Sequence, residues 1–361
     1  MRTIALPQRS PPGRVADCSE RHVFDGTVGL REVDQTTPDV ARLGALAEKL
    51  PDFFIVGHPK CGTTALYEML KPHPEIFMPD VKEPWYFATE LHERTPPRPQ
   101  GIAGSLEEYA ELFADARPGQ HIGEASPHYL WSHTAAERIA AVRPDARIVV
   151  ILREPASLLR SLHLQFLQTN IETESDLAKA LALEPVRREG RELPSHTYWP
   201  QALRYSDHVR YVEQLGRFDA VFPSEQMLVL IYDDFRNDNE ATVRRVLRFL
   251  DVDDTIPVHV SEVNPTVSPR SQLLNEAVHA VAVGRGPTSL KVKGAIKAVV
   301  PTRMRRGALE AVQRHVVFRE PLPADESLTA ELRRRFRGEV EALSEYTGRD
   351  LLTLWGYEDV D

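Results

Sequence analysis

Cysteine is scarce in this chain: 361 residues contain two, Cys18 and Cys61. Two thiols cannot make a disulfide framework, so the fold has to rest on a buried core, and a reducing, cytoplasmic setting is expected. Long apolar runs are missing as well. No stretch is long enough to span a bilayer, and the N-terminus carries arginines without the apolar segment of a signal peptide. Nor is there an excess of positive charge: 44 Lys and Arg stand against 53 Asp and Glu, a net charge of −9. That excludes a chain built as a whole to bind nucleic acid. Clustered His, Cys and Asp at metal-ligand spacing are absent, so no metal is expected. What the chain does have is length for one large α/β domain with a sizeable core.

Residues 1–38 are rich in Pro, Arg, Gly and Asp and show no period, which predicts a loosely ordered N-terminal arm. A single domain is expected over 39–361. Asp39–Leu50 has helical spacing and leads into the first strand, and Thr95–Gly101 reads as a Pro-rich loop. Apolar runs at Phe53–Val56, His121–Ala125, Arg147–Arg153 and Met227–Tyr232 predict strands, and Pro74–Pro79 a short extended piece. Helices are expected over Thr134–Val142, Ser157–Thr169, Tyr205–Phe218, Asn239–Leu250 and Leu328–Tyr346. Buried strand alternating with amphipathic helix predicts a P-loop-like three-layer α/β fold, a central parallel sheet with helices on both faces. Glu172–Leu203 is charged and irregular. Between Glu276 and Glu310 there is no acidic residue, while Arg285, Lys291, Lys293, Lys297, Arg303, Arg305 and Arg306 accumulate. This basic segment, within 277–309, has three readings: a loop closing on an anionic ligand, a contact for an anionic acceptor or membrane surface, or a solvated helix face.

The stretch that organises the rest is Phe53–Leu70. Four apolar residues run without alternation into Gly57, as in a strand covered on both faces. Gly57 and Gly62 let the backbone turn and approach a ligand, and Thr63 and Thr64 stand where a helix opens. Free amides at such a point cradle anions. The triphosphatase pattern G-x-x-x-x-G-K-S/T is altered here: Thr63 occupies the lysine position, and the lysine lies inside the loop at Lys60. Such a loop suits a 5′-phosphate bearing one further group, with Lys60 reaching the bridging oxygen. The plain alternative is a glycine-containing turn with no ligand.

Lys60-Cys61-Gly62-Thr63-Thr64 resembles the 5′-phosphosulfate loop, Arg/Lys-x-Gly-Thr-Thr/Ser, of the sulfotransferases that use 3′-phosphoadenosine 5′-phosphosulfate (PAPS). The following helix with His73-Pro74 looks like that family's too. The likeness extends over roughly Pro51 to Tyr357 and is nearest to the bacterial branch related to heparan-type and Golgi carbohydrate sulfotransferases. It implies that Lys60, Cys61, Gly62, Thr63 and Thr64 hold the 5′-phosphosulfate. A second signature, a strand ending in Arg, then x-Pro, then Ser eight residues beyond the Arg, is matched by Arg153, Pro155 and Ser161. It implies a clamp for the 3′-phosphate, for which a guanidinium supplies a charge-assisted fork. Leu158 stands where many members carry Arg. An ion-paired surface arginine is the alternative for Arg153.

Lys82-Glu83-Pro84-Trp85-Tyr86-Phe87 resembles the family's K-E-x-x-F/Y-F segment, which implies that Glu83 takes the proton of the acceptor hydroxyl. Trp85 replaces a common His. Glu124-Ala125-Ser126-Pro127-His128-Tyr129 resembles a Glu-Lys-Ser/Thr-Pro segment, with Ala125 in place of the lysine. Cytosolic members use a His as base, so His128 is the rival to Glu83. Tyr232 matches an aromatic that contacts adenine in some members, or is plain core. His73 is expected to pack behind the loop, and His58 reads only as a loop residue. Pro269 and Arg270, with Asn264, resemble a late segment near the cofactor. The resemblance thus implies transfer of a sulfuryl group from PAPS to a hydroxyl of a glycan, glycolipid or small-molecule acceptor, without a metal. The alternatives are a small-molecule kinase with an aberrant P-loop and an inactive cofactor-binding protein.

Overall fold

A computed structural model describes residues 49–91, 103–194, 197, 199–259, 268–271, 275, 278, 318–321 and 323–358. The N-terminal arm, residues 39–48 of the expected first helix, the Thr95–Gly101 loop, Asn264 and the basic residues between 285 and 306 fall outside these residues. The core is a parallel sheet of five strands: β1 (Phe53–Gly57), β2 (Ile76–Phe77), β3 (His121–Ala125), β4 (Arg147–Leu152) and β5 (Met227–Ile231). Their order across the sheet is β2-β3-β1-β4-β5. Phe53 pairs with Gly123 of β3 on one side and Arg147 of β4 on the other, and Ile148 of β4 pairs with Met227 of β5. All five residues of β1 are buried, as are Ile148 to Leu152. Strands covered on both faces have no polar side to show, which is why these runs lack alternation.

The chain leaves β1 towards β2 and β3, then crosses back to β4. The topology therefore reverses at the C-terminal end of β1, where open α/β sheets leave a crevice for ligands. Helix α1 (Thr63–Leu70) follows β1, and α2 (Pro155–Thr169) follows β4 with Pro155 in its first turn, where the missing N–H costs nothing. His73 is buried beyond the end of α1, its Nε2 2.9 Å from the Asp253 carbonyl.

Two expectations are corrected. Tyr205–Phe218 is not one helix: a 3-10 turn over Tyr205–Val209 precedes α3 (Tyr211–Asp219), with Arg210 in a non-helical conformation between them. Tyr232 is not the last residue of β5 but the first of a short helix, α4 (Tyr232–Asn237). The irregular stretch after Glu172 is anchored from inside. Arg187 grips Glu172 in a bidentate pair, 2.6 and 2.9 Å, with both side chains buried and Tyr205 Oη donating to the same carboxylate at 3.1 Å. Partnering of this kind offsets the desolvation of two buried charges. The long helix α5 (Glu326–Thr347) packs on α2 and α3. Among the described residues no helix is long and apolar enough to cross a membrane.

Candidate functional site

The loop between β1 and α1 is built around Gly62. Its φ of 87° is left-handed, and a Cβ there would lie 2.9 Å from the Phe235 ring. Glycine is the residue that meets both demands. Gly62 is also the N-cap of α1 and gives no side-chain hydrogen bond. The opening amides of the helix, at Thr63 and Thr64, are thus left to an outside acceptor. Thr63 is buried and Thr64 half-buried. Cys61 is fully enclosed: its Sγ donates to the Pro59 carbonyl at 3.6 Å, and burial pushes its thiol up to about 12. The thiol is therefore not a nucleophile.

Lys60 holds φ at 65°, another left-handed position in the same loop. Arg153 reaches across from the end of β4 and donates from Nη1 to the Lys60 carbonyl at 3.1 Å. Its guanidinium lies 4.6 Å from the centre of the Tyr232 ring, and Tyr211 Oη fixes the Arg153 carbonyl at 2.7 Å. Burial lowers the pKa of Lys60, and the Arg153 charge lowers it further, with Glu83 acting in the opposite sense. Two cations in one desolvated corner repel each other until an anion joins them. Ser161, on α2, is buried with a hydroxyl that has no partner. A buried hydroxyl left so calls for an explanation, and a ligand phosphate at the end of β4 provides one. The residues of this corner fit a doubly phosphorylated ligand.

The C-terminal segment braces the corner from behind. Glu154 caps α2 through Ser157 N at 2.6 Å, and also receives Tyr357 Oη at 3.0 Å and Arg333 Nε at 3.5 Å. Trp355 Nε1 donates to Asp233 at 2.9 Å, and Arg349 pairs with Asp234 beside Tyr232. Pro155 marks the start of α2 in the sequence, but most of these contacts join segments far apart in the chain.

Glu83 arrives from the other side of β1. Its amide donates to the Ala125 carbonyl at the end of β3, 3.2 Å away. Its φ is 61° although a proline follows, and that of Trp85 is 51°. Strain of this sort persists only where the surroundings impose it, and it clusters at functional sites. Here Ser126 Oγ accepts from Trp85 N at 3.2 Å. The Glu83 carboxylate pairs with Lys82, its side chain one-third exposed at 33%. His128 is buried edge-on to Trp85, with ring centres 4.9 Å apart, and to Trp199 at 4.5 Å. Burial drives its pKa well below the usual imidazole value, and His208, His58 and Lys82 push the same way.

The structure thus brings Lys60, Gly62, Thr63, Arg153 and Tyr232 together, and sets Glu83 near enough to act on Lys60. Three residues carry more than the sequence suggested. His58 is fully buried, its Nε2 3.2 Å from Gln214 Oε1, and burial pushes its pKa to about 3. Glu124 is fully buried with Tyr109 Oη at 2.8 Å, and burial pushes its pKa to about 7. Trp199, from the irregular stretch, closes over His128. Arg270 lies at the surface, donating to the Phe318 carbonyl at 2.9 Å. Among the described residues no group of three His, Cys, Asp or Glu side chains is arranged to hold a metal ion.

Comparison with known proteins adds a family. A profile described as "Sulfotransferase family" matches residues 51–255. Human carbohydrate sulfotransferase 15 is 27% identical over 256 residues, covering 56% of this chain and 44% of that protein. Mouse heparan sulfate glucosamine 3-O-sulfotransferase 3B1 is 26% identical over 254 residues, covering 68% of this chain and 58% of that protein. The chain spans about half the length of the curated relatives it matches. A crystal structure of a sulfotransferase from Alicyclobacillus acidocaldarius superposes with a TM-score of 0.61 at 24% identity, over 85% of this chain and 99% of that one, and shares the fold.

Proposed function

The chain belongs to the sulfotransferase family, and from that premise we propose that it moves a sulfuryl group from PAPS to the hydroxyl of an acceptor, with Glu83 as general base. The observation that carries this reading is the paired cationic corner, Lys60 with Arg153 at 3.1 Å from its carbonyl, set beside the open amides of α1. In it, Lys60, Gly62, Thr63 and Thr64 would hold the 5′-phosphosulfate, Arg153 and Ser161 the 3′-phosphate, and Tyr232 the adenine. PAPS would supply the activated sulfuryl group: the sulfur–oxygen bond to the 5′-phosphate breaks as the acceptor oxygen bonds sulfur, leaving adenosine 3′,5′-bisphosphate. Glu83 takes the hydroxyl proton, and Lys60 neutralises the charge that gathers on the bridging oxygen. Acceptors of the glycan, glycolipid and small-molecule kinds all present such a hydroxyl.

Cofactor choice tests the reading. Adenosine 3′,5′-bisphosphate at a hundredfold excess over its Kd is expected to stabilise the protein by about 2.7 kcal/mol, measured as a rise in Tm. ATP with magnesium should do far less. Equal or greater stabilisation by magnesium-ATP would transfer the chain to the kinase reading.

The 3′-phosphate clamp has its own signature. Arg153→Ala should weaken binding of the bisphosphate by roughly 1.5–3 kcal/mol, the worth of a hydrogen bond to a charged group. Titration calorimetry with adenosine 5′-phosphate as the control should show a much smaller loss. An equal loss for both nucleotides would move Arg153 away from the 3′ position.

A further inference from the structure

The C-terminal segment lies beyond the family profile, which ends at residue 255, yet it reaches the two strand ends that build the cationic corner. Leu152 and Ile231 are paired across β4 and β5. The residues that follow them, Arg153 and Tyr232, hold each other, with the guanidinium 4.6 Å from the centre of the ring. Next in line come acids, and the same segment grips each of them. Glu154 receives Tyr357 Oη at 3.0 Å and Arg333 Nε at 3.5 Å. Asp233 receives Trp355 Nε1 at 2.9 Å. Asp234 receives Arg349 Nη2 at 2.7 Å, with Nη1 on its other oxygen.

The segment is itself held firmly. A short helix, α6 (Leu351–Trp355), follows α5, and Leu351, Trp355 and Tyr357 are buried. Tyr357 is fixed twice through its backbone: its carbonyl accepts from Arg337 Nη1 at 2.6 Å, and its amide donates to the Leu352 carbonyl at 2.9 Å. Beyond their paired ends, β4 and β5 lead into separate helices, α2 and α4. Three acids bonded to one anchored segment tie those two turns together. A binding site whose groups are already aimed avoids the cost of ordering them when the ligand arrives.

We propose that Tyr357 and Arg349 are positioning residues for the nucleotide: through Glu154 and Asp234, residues 333–357 lock Arg153 and Tyr232 in register, so that the 3′-phosphate clamp and the adenine face are set together. Tyr357 acts on the clamp, because its acid adjoins Arg153. Arg349 acts on the adenine face, because its acid lies in the first turn of α4 with Tyr232. The proposal rests on the reading of this corner as a bisphosphate site, and adds to that site residues that do not touch the ligand.

Titration calorimetry on the full chain, with adenosine 3′,5′-bisphosphate and adenosine 5′-phosphate, tests it. Tyr357→Phe keeps the buried ring and deletes one hydroxyl. It should weaken the bisphosphate about 3–10-fold, the worth of one hydrogen bond, and the 5′-phosphate much less. Arg349→Gln should weaken both nucleotides by a similar factor, because the adenine is common to them. In an Arg153→Ala background, Tyr357→Phe should have almost no further effect, since the group it positions is gone. Tyr346→Phe is the control: it deletes another hydroxyl of α5, bonded to Asp219 at 2.9 Å, and should leave both affinities unchanged whatever it does to Tm. Unchanged bisphosphate affinity in Tyr357→Phe or Arg349→Gln, a Tyr357→Phe loss that simply adds to that of Arg153→Ala, or an equal loss in Tyr346→Phe overturns the proposal. Each of those outcomes leaves the sulfotransferase reading intact as long as the wild type binds the bisphosphate. If the wild type does not bind it, the reading itself has failed and the proposal with it.

Discussion

Glu83→Gln is expected to lower turnover by about 10²–10⁴-fold while leaving the affinity for adenosine 3′,5′-bisphosphate unchanged. The substitution keeps the volume and the backbone amide contact of Glu83 and removes its negative charge, and with it the capacity to take a proton. His128→Asn should cost much less. An imidazole held neutral by burial, with a pKa well below its ordinary value, is a weak base, and its ring is enclosed between two indoles. Glu83 is one-third exposed and paired with Lys82, and its amide is held on the Ala125 carbonyl at the end of β3. Initial rates on an identified acceptor, with bisphosphate affinity measured alongside, decide between them. A larger loss for His128→Asn would assign the base to His128. Near-wild-type rates for both would point to an acceptor that enters already ionised, and an acidic phenol is the substrate to try next.

Local chemistry explains what could be read before the structure. β3 falls on His121–Ala125 as expected, and β1 and β4 lie within a residue of expectation, because an apolar run bounded by glycine, proline or charge has few other ways to bury itself. The loop was legible for a related reason: its backbone demands are met by particular residues at fixed spacing. Tyr232 was placed on the wrong element because an aromatic at a strand end satisfies a strand and a helix start equally well. Trp199 was not legible at all. It lies 71 residues from His128 in sequence, a tertiary contact with no local period. His58 is a loop residue as its sequence suggests, but its burial has no local signal, and its contact with Gln214 spans 156 positions. The corner between β1 and α1 was thus foreseeable from spacing, whereas the contact of Trp199 with His128 joins distant segments.

Lys60→Ala is expected to reduce turnover by about 10²–10³-fold, the scale for removing a group that stabilises developing charge, and to weaken bisphosphate binding far less. The difference follows from when the charge appears. In the proposed roles the ammonium would meet its full partner only as the bridging oxygen is released, whereas Arg153 would meet a phosphate that is charged throughout. The pH dependence supplies an independent check. Burial, reinforced by Arg153, lowers the pKa of Lys60 in the free protein. A bound anion favours the charged form and raises it again. The ammonium's contribution is therefore complete at low pH and disappears as pH rises through the lowered value, so kcat/KM should fall on the alkaline side earlier than an ordinary lysine would require. Lys60→Arg, charged across that range, should remove this alkaline limb while retaining part of the rate. Lys60→Ala should remove it and the rate together. An alkaline limb that persists in Lys60→Ala would belong to another group, and the role given to Lys60 would then have to be withdrawn.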